Sequence, residues 1–189
     1  MDLVFFGIQG SGKGTQAKKL AADFGYDIFE AGGELRKIKK SGTELGDEVA
    51  SYIDEGKLVP FEIIMRVTKE AVLERPEDQK ILFDGIPRDE DQMNAFNNIM
   101  EEVGREFQCV EIKLDKEEAV KRILGRAEEE GRADDADESI IRRRMDTFIE
   151  KTMPVIEAYK AQEKLIEVDG DGTIDKIYGR LKEALELNA

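Results

Sequence analysis

The chain has no histidine and a single cysteine in 189 residues. Mechanisms that rest on an imidazole base, a His-ligated metal or a Ser/His pair are therefore excluded. One thiol builds neither a disulfide framework nor a zinc cluster, so no zinc site is expected. Cys109, in the apolar-flanked stretch 107–112, reads as a buried small hydrophobe. Long apolar runs are missing as well. Nothing approaches the ~18 residues of a membrane span, and the first strand-like segment starts almost at Met1, so no signal peptide is expected. Positive charge is scarce: 29 Lys and Arg stand against 43 Asp and Glu, a formal net charge of −14. Such a surface repels a phosphate backbone or an anionic bilayer except at a local basic pocket. The expectation is a cytoplasmic protein that works as a monomer, with neither nucleic acid polymer nor membrane as partner. Its remaining catalytic equipment is Lys, Arg, Asp and a bound Mg²⁺.

Against these absences stands one dense motif. The apolar run Leu3, Val4, Phe5, Phe6 leads into Gly7, Gly10, Ser11, Gly12, Lys13, Gly14 and Thr15. A strand that ends in a glycine-rich turn and opens into a helix aims successive backbone N–H groups, and the positive end of the helix dipole, at one point. That point suits a polyphosphate. The glycines let the chain wrap closely around it, Lys13 adds a mobile cation for the β and γ groups, and Thr15 can offer its hydroxyl to Mg²⁺.

The remaining pattern is α/β. Short β-rich runs at 2–6, 27–29, 81–83, 109–114 and 165–168 alternate with helical periodicity at 13–24, 61–74, 90–103, 116–126, 138–159 and 173–187. This rhythm predicts a parallel five-stranded sheet covered by helices, in one phosphate-loop kinase-like domain. Two stretches interrupt it: residues 30–59 read as a small helical insertion punctuated by glycines, and residues 127–137 as a short polar loop. The core is then 1–29, 60–126 and 138–189.

A second cluster follows the third predicted strand. Ile81, Leu82 and Phe83 end in Asp84, a carboxylate placed to hold a Mg²⁺-bound water beside a triphosphate. Gly85, Ile86, Pro87 and Arg88 come next, with Gln92 four residues further on. Such a turn sets a cation and an amide at the carboxyl end of the sheet, where open α/β folds bind ligands.

Phosphate loop, Asp-Gly-x-Pro-Arg turn and the spacing of Arg122, Arg126, Arg132 and Arg143 together resemble the adenylate kinase family of nucleoside monophosphate kinases, in its short-lid form. The resemblance implies reversible transfer of the γ-phosphoryl group of Mg·ATP to AMP. It places the donor phosphates on Gly10, Ser11, Gly12, Lys13, Gly14 and Thr15, and the donor base near Arg122 and Gly172. It gives the acceptor phosphate to Arg36 and Arg88, and the acceptor base to Lys57, Leu58, Val59 and Gln92. Arg126, Arg132 on the lid and Arg143 on the helix after it act on the transferred group. Ala31, Gly85, Ile86 and Pro87 complete the acceptor side. Insertion and lid are then expected to close over monophosphate and ATP, keeping out water that would accept the phosphoryl group.

The sequence departs from the family pattern in the segment Glu30, Ala31, Gly32, Gly33, Glu34, Leu35, Arg36, where Thr and Asp are usual at positions 31 and 33. Losing one hydroxyl contact costs about 0.5–1.5 kcal/mol in acceptor affinity. Alanine at 31 resembles the UMP/CMP kinases, while Gln92 points to AMP. A UMP/CMP or broad-specificity kinase is thus the alternative, and a non-catalytic nucleotide-binding assembly factor the alternative of another class. The complete set Arg36, Arg88, Arg132 and Arg143 speaks against the last.

Overall fold

The strand Asp2–Phe6 (β1) is buried at every residue, as an apolar run that must lie in the middle of a parallel sheet should be. The structure is a computed structural model that describes residues 1–130 and 138–187, and of 126–130 the backbone alone. Four further strands, Asp27–Glu30 (β2), Ile81–Asp84 (β3), Phe107–Lys113 (β4) and Leu165–Asp169 (β5), join β1 in one all-parallel sheet of order β2-β3-β1-β4-β5. Leu3 pairs with Leu82 on one side and with Gln108 on the other. The chain thus reverses its direction of winding at β1, and the loop after β1 opens at that switch point.

Side chains alternate across the sheet and divide the core in two. Val4, Phe6, Phe29, Phe83, Phe96 and Tyr159 pack on one face. Leu3, Phe5, Leu20, Leu82, Val110, Ile112 and Leu181 pack on the other. Helices Lys13–Phe24 (α1) and Ile174–Ala184 (α9) cover the second face, and the first is covered by Phe61–Leu73 (α4), Glu90–Glu102 (α5) and Met153–Ala161 (α8). Ala31–Lys39 (α2) and Glu44–Asp54 (α3) occupy the segment read as an insertion. Val49, Val59 and Ile63, with Leu35, Ile38, Leu45, Tyr52 and Ile53, give it a small core of its own. At the base of the sheet Asp2 and Arg105 form a bidentate ion pair, and Asp2 Oδ1 also accepts from the N–H of Ile81.

Among the boundaries that differ from the sequence reading, three matter to the core or the site. Strand β4 starts two residues earlier, at Phe107, whose ring joins Phe96 and Tyr159 in the core. Helix Lys116–Glu130 (α6) runs four residues beyond 126, so 127–130 continue a helix instead of opening the lid loop. The single helix expected over 138–159 is two, Glu138–Thr147 (α7) and α8, joined by a π-helical turn at Phe148–Thr152. The cause is Pro154: it lacks an N–H, and its ring crowds the carbonyl four residues back, so the helix widens by one residue there.

Candidate active site

The loop between β1 and α1 turns through positive φ at Gly7, Gly10 and Gly12. At Gly10 the need for glycine is twofold: φ is +86°, and a Cβ would lie 2.7 Å from the carbonyl oxygen of Ala119. Helix α1 begins at Gly12 without a side-chain cap, so its first N–H groups face the mouth of the loop. Lys13 reaches back across the loop and donates to Gly7 O at 2.6 Å and Ile8 O at 3.4 Å. Ser11 is buried, while Gly14 and Thr15 face solvent.

Two depressions flank this loop. One, of about 280 Å³, lies toward β2 and β3 and is lined by Gly14, Lys18, Glu30, Gly33, Glu34 and Asp84. Glu30 and Asp84 end their strands as register partners, which sets two carboxylates side by side. Burial raises the Asp84 carboxyl above the ordinary carboxylate range, opposed by Lys13 and Arg88. Arg36, on α2, donates to Glu30 Oε1 at 2.6 Å. Arg88 folds back over its own turn, Nε donating to Gly85 O at 2.7 Å. Gly85 has φ +88°, and a Cβ there would lie 2.8 Å from Arg88 Nη2, so only glycine lets the guanidinium settle. Gln92 is buried; its Oε1 accepts from Arg88 N at 2.9 Å and its Nε2 donates to Asp89.

The other depression, of about 620 Å³, lies beyond β4 and β5 between Leu114, Asp115, Glu118, Asp169 and Asp171. Arg122 spans its edge, donating to Glu118 Oε1 and to Gly170 O at 3.2 Å. This ties α6 to the β5–α9 loop that carries Gly172, whose φ is +117°.

The predicted site residues therefore divide. Gly10 to Thr15, Arg36, Asp84, Gly85 and Arg88 gather around the loop and its first depression. Arg122 and Gly172 stand at the second. Ala31, Val59, Ile86 and Pro87 are buried, Ala31 and Ile86 in the sheet core and Val59 in the core of the insertion. Lys57 pairs with Glu55 on the surface, and Leu58 is half-buried beside it. Arg143 lies across from the insertion and donates to Glu55 O at 2.8 Å. Arg132 and the side chain of Arg126 lie outside the described residues. Arg142, next to Arg143 in the chain, pairs with Glu117 and Glu138 on the surface. The sequence reading missed Glu30 as a partner of Arg36, although an acid closing β2 beside Asp84 was the available signal. It also missed Thr152, whose hydroxyl donates to Arg88 O at 2.8 Å.

The donor set fits a magnesium ion. The position a Cβ of Gly14 would take lies 3.8 Å from Asp84 Oδ2, so the carboxylate rests against the first turn of α1, the turn that carries Thr15. The raised Asp84 pKa marks a negative charge that its surroundings under-compensate, which a dication would relieve. Among the described residues no group of three or more His, Cys, Asp or Glu could hold an ion. A cation here relies on one carboxylate with water and phosphate oxygens, as Mg²⁺ does at nucleotide sites.

Comparison with known proteins gives one family. The sequence model described as adenylate kinase matches residues 5–164. An adenylate kinase of Thermus thermophilus is 40% identical over 186 residues, covering 98% of this chain and 97% of the relative. Those of Maricaulis maris and Nocardioides sp. are each 38% identical, over 98% and 99% of this chain and 99% and 98% of the relatives.

Proposed function

The chain belongs to the adenylate kinase family, and from that premise we infer that it catalyses the reversible transfer of the γ-phosphoryl group of ATP to AMP, giving two ADP. The observation that carries the reading is one glycine-rich loop set between two depressions, with Arg36 and Arg88 on the side of the first.

Phosphoryl transfer asks little covalent help of a protein; alignment and neutralisation of charge on the transferring oxygens suffice. On this reading the N–H groups of the loop hold the donor phosphates, and Lys13 exchanges the carbonyls of Gly7 and Ile8 for phosphate oxygens. Arg36 and Arg88 hold the acceptor phosphate, and their planar guanidinium forks suit it better than ammonium groups would. Arg126, Arg132 and Arg143 neutralise the transferred group, Arg143 by leaving Glu55. Arg122 and Gly172 receive the donor base. Lys57, Leu58 and Val59, with Gln92, border the acceptor base. Thr15 and, through water, Asp84 would hold Mg²⁺, which would supply charge neutralisation to the donor phosphates. Among the described residues no helix is long and apolar enough to cross a membrane. The reading is completed by a cytoplasmic monomer that needs no nucleic acid polymer.

Ala31, buried and without a hydroxyl, favours pyrimidine monophosphates as a second reading. Incubation with Mg·ATP and, separately, AMP, GMP, CMP or UMP, with each diphosphate quantified, decides between them. ADP in excess, absent when AMP is left out, is expected. CDP or UDP in excess would replace AMP as the acceptor, and ATP binding without any product would leave a non-catalytic nucleotide-binding module.

A further inference from the structure

The π-helical turn joins α7, which carries Arg143, to α8, whose stripe Val155, Ile156 and Tyr159 is fixed in the sheet core. Its closing bond runs from Met153 N to Phe148 O, one residue wider than an α-turn. Threonines inside helices usually turn the hydroxyl back to a carbonyl of their own helix. Thr68 and Thr147 do so, donating to Ile64 O at 2.8 Å and Arg143 O at 2.9 Å. Thr152 does not. It is 5% exposed, and its hydroxyl donates to Arg88 O at 2.8 Å, in another element of the chain.

Arg88 is thereby gripped by both of its backbone polar groups. Its N–H donates to Gln92 Oε1 and its C=O accepts from Thr152, while Asp89 in turn accepts from the Gln92 backbone and side-chain N–H groups. The surface-facing guanidinium rests on a main chain that cannot shift without breaking a half-buried hydrogen bond. We propose that Thr152, presented by the π-helical turn that Pro154 enforces, is a positioning residue of the acceptor side: it fixes the Arg88 backbone so that the guanidinium meets the acceptor phosphate. The same widened turn sets the rotation of α7 relative to α8, so one local irregularity orients the elements bearing Arg88 and Arg143. This rests on Arg88 as the acceptor-phosphate ligand.

The test is Thr152→Val, which keeps the shape and removes the hydroxyl, with Thr152→Ser as the conservative variant. KM is measured for AMP at saturating Mg·ATP and for ATP at saturating AMP, and AMP binding by calorimetry. Loss of one hydrogen bond predicts a KM for AMP raised about 2- to 13-fold in Thr152→Val. The KM for ATP is expected to stay within about twofold, and Thr152→Ser to recover most of the loss. A general structural defect would move both constants; that outcome, or no change in either, or Ser behaving as Val, overturns the proposal. Should Thr152→Val fail to fold, Thr152→Ala makes the same comparison. A parent protein that forms no ADP refutes the kinase reading instead. The calorimetric ratio of parent to variant then decides for Thr152, and equal affinities or no AMP binding overturn it.

Discussion

Glu30 pairs with Arg36, the arginine proposed to hold the acceptor phosphate, and changing it to glutamine is expected to tighten acceptor binding. The ion pair joins side chains 49% and 50% exposed, at 2.6 Å. At that exposure solvent screening leaves it about 0.2–1 kcal/mol, which the incoming phosphate must displace or share. A phosphate dianion seated on Arg36 would also lie roughly 5 Å from the carboxylate, for a repulsion of about 1.7 kcal/mol at the dielectric of water before salt reduces it. Glu30→Gln keeps the shape and an oxygen for Arg36 but removes the charge. The net gain is about 1–2 kcal/mol, a KM for AMP lowered roughly 5- to 30-fold. Initial rates at saturating Mg·ATP measure it, with the KM for ATP as the control. The difference should shrink when ionic strength is raised to about 0.5 M. A KM for AMP that stays the same or rises would refute the reasoning, for Glu30 would then be orienting Arg36 and not competing for it.

Three further outcomes are expected. Gly10→Ala forces φ +86° on a side chain whose Cβ meets Ala119 O at 2.7 Å; a strain of at least about 1–2 kcal/mol should lower the thermal midpoint and raise the KM for ATP more than that for AMP. Asp84→Asn should abolish most Mg²⁺-dependent turnover yet stabilise the fold by about 0.5–2 kcal/mol near neutral pH, checked by urea unfolding across pH. The sign follows from burial raising the folded carboxyl pKa above its unfolded value: between the two values the folded state binds more protons, so this destabilisation is present above the folded pKa and fades as pH falls toward the unfolded one. Arg105→Ala strands Asp2, whose side chain is 3% exposed against 10% for its partner. A loss of about 3–5 kcal/mol in urea unfolding is expected, with KM values unchanged in the folded fraction.

Local patterns made much of this protein legible from its residues alone. The apolar run before Gly7 and the glycine spacing after it define strand, loop and helix within fifteen residues, because strand pairing on both edges and close approach to phosphate each demand particular residue types there. The start of β4 was less legible, since Phe107 and Gln108 alternate like a strand edge while the partners that bury Phe107 come from α5 and α8. The π-helical turn escaped notice for a similar reason. Apolar periodicity continues on both sides of it, a one-residue change of phase is lost within any window long enough to show a helix, and Pro154 was the sole local sign.

What sequence could not show is where each arginine rests. Arg36 lies on Glu30 Oε1, Arg88 on Gly85 O, Arg122 on Gly170 O and Arg143 on Glu55 O. Three of these four acceptors are backbone carbonyls, which carry no residue signature at all. On the proposed function, nucleotide binding at these arginines is an exchange of hydrogen bonds, and each exchange nets only about 0.5–1.5 kcal/mol. Selectivity must then come from terms that an exchange does not cancel. One is charge, where a phosphate group would replace a neutral carbonyl at Arg88 and Arg143. The other is geometry, where a guanidinium anchored through a fixed main chain meets its ligand without first being ordered. Glu30 is the exception on the first term and Thr152 the agent of the second, which is why substitutions at these two positions are expected to shift acceptor binding in opposite directions while leaving the donor side alone.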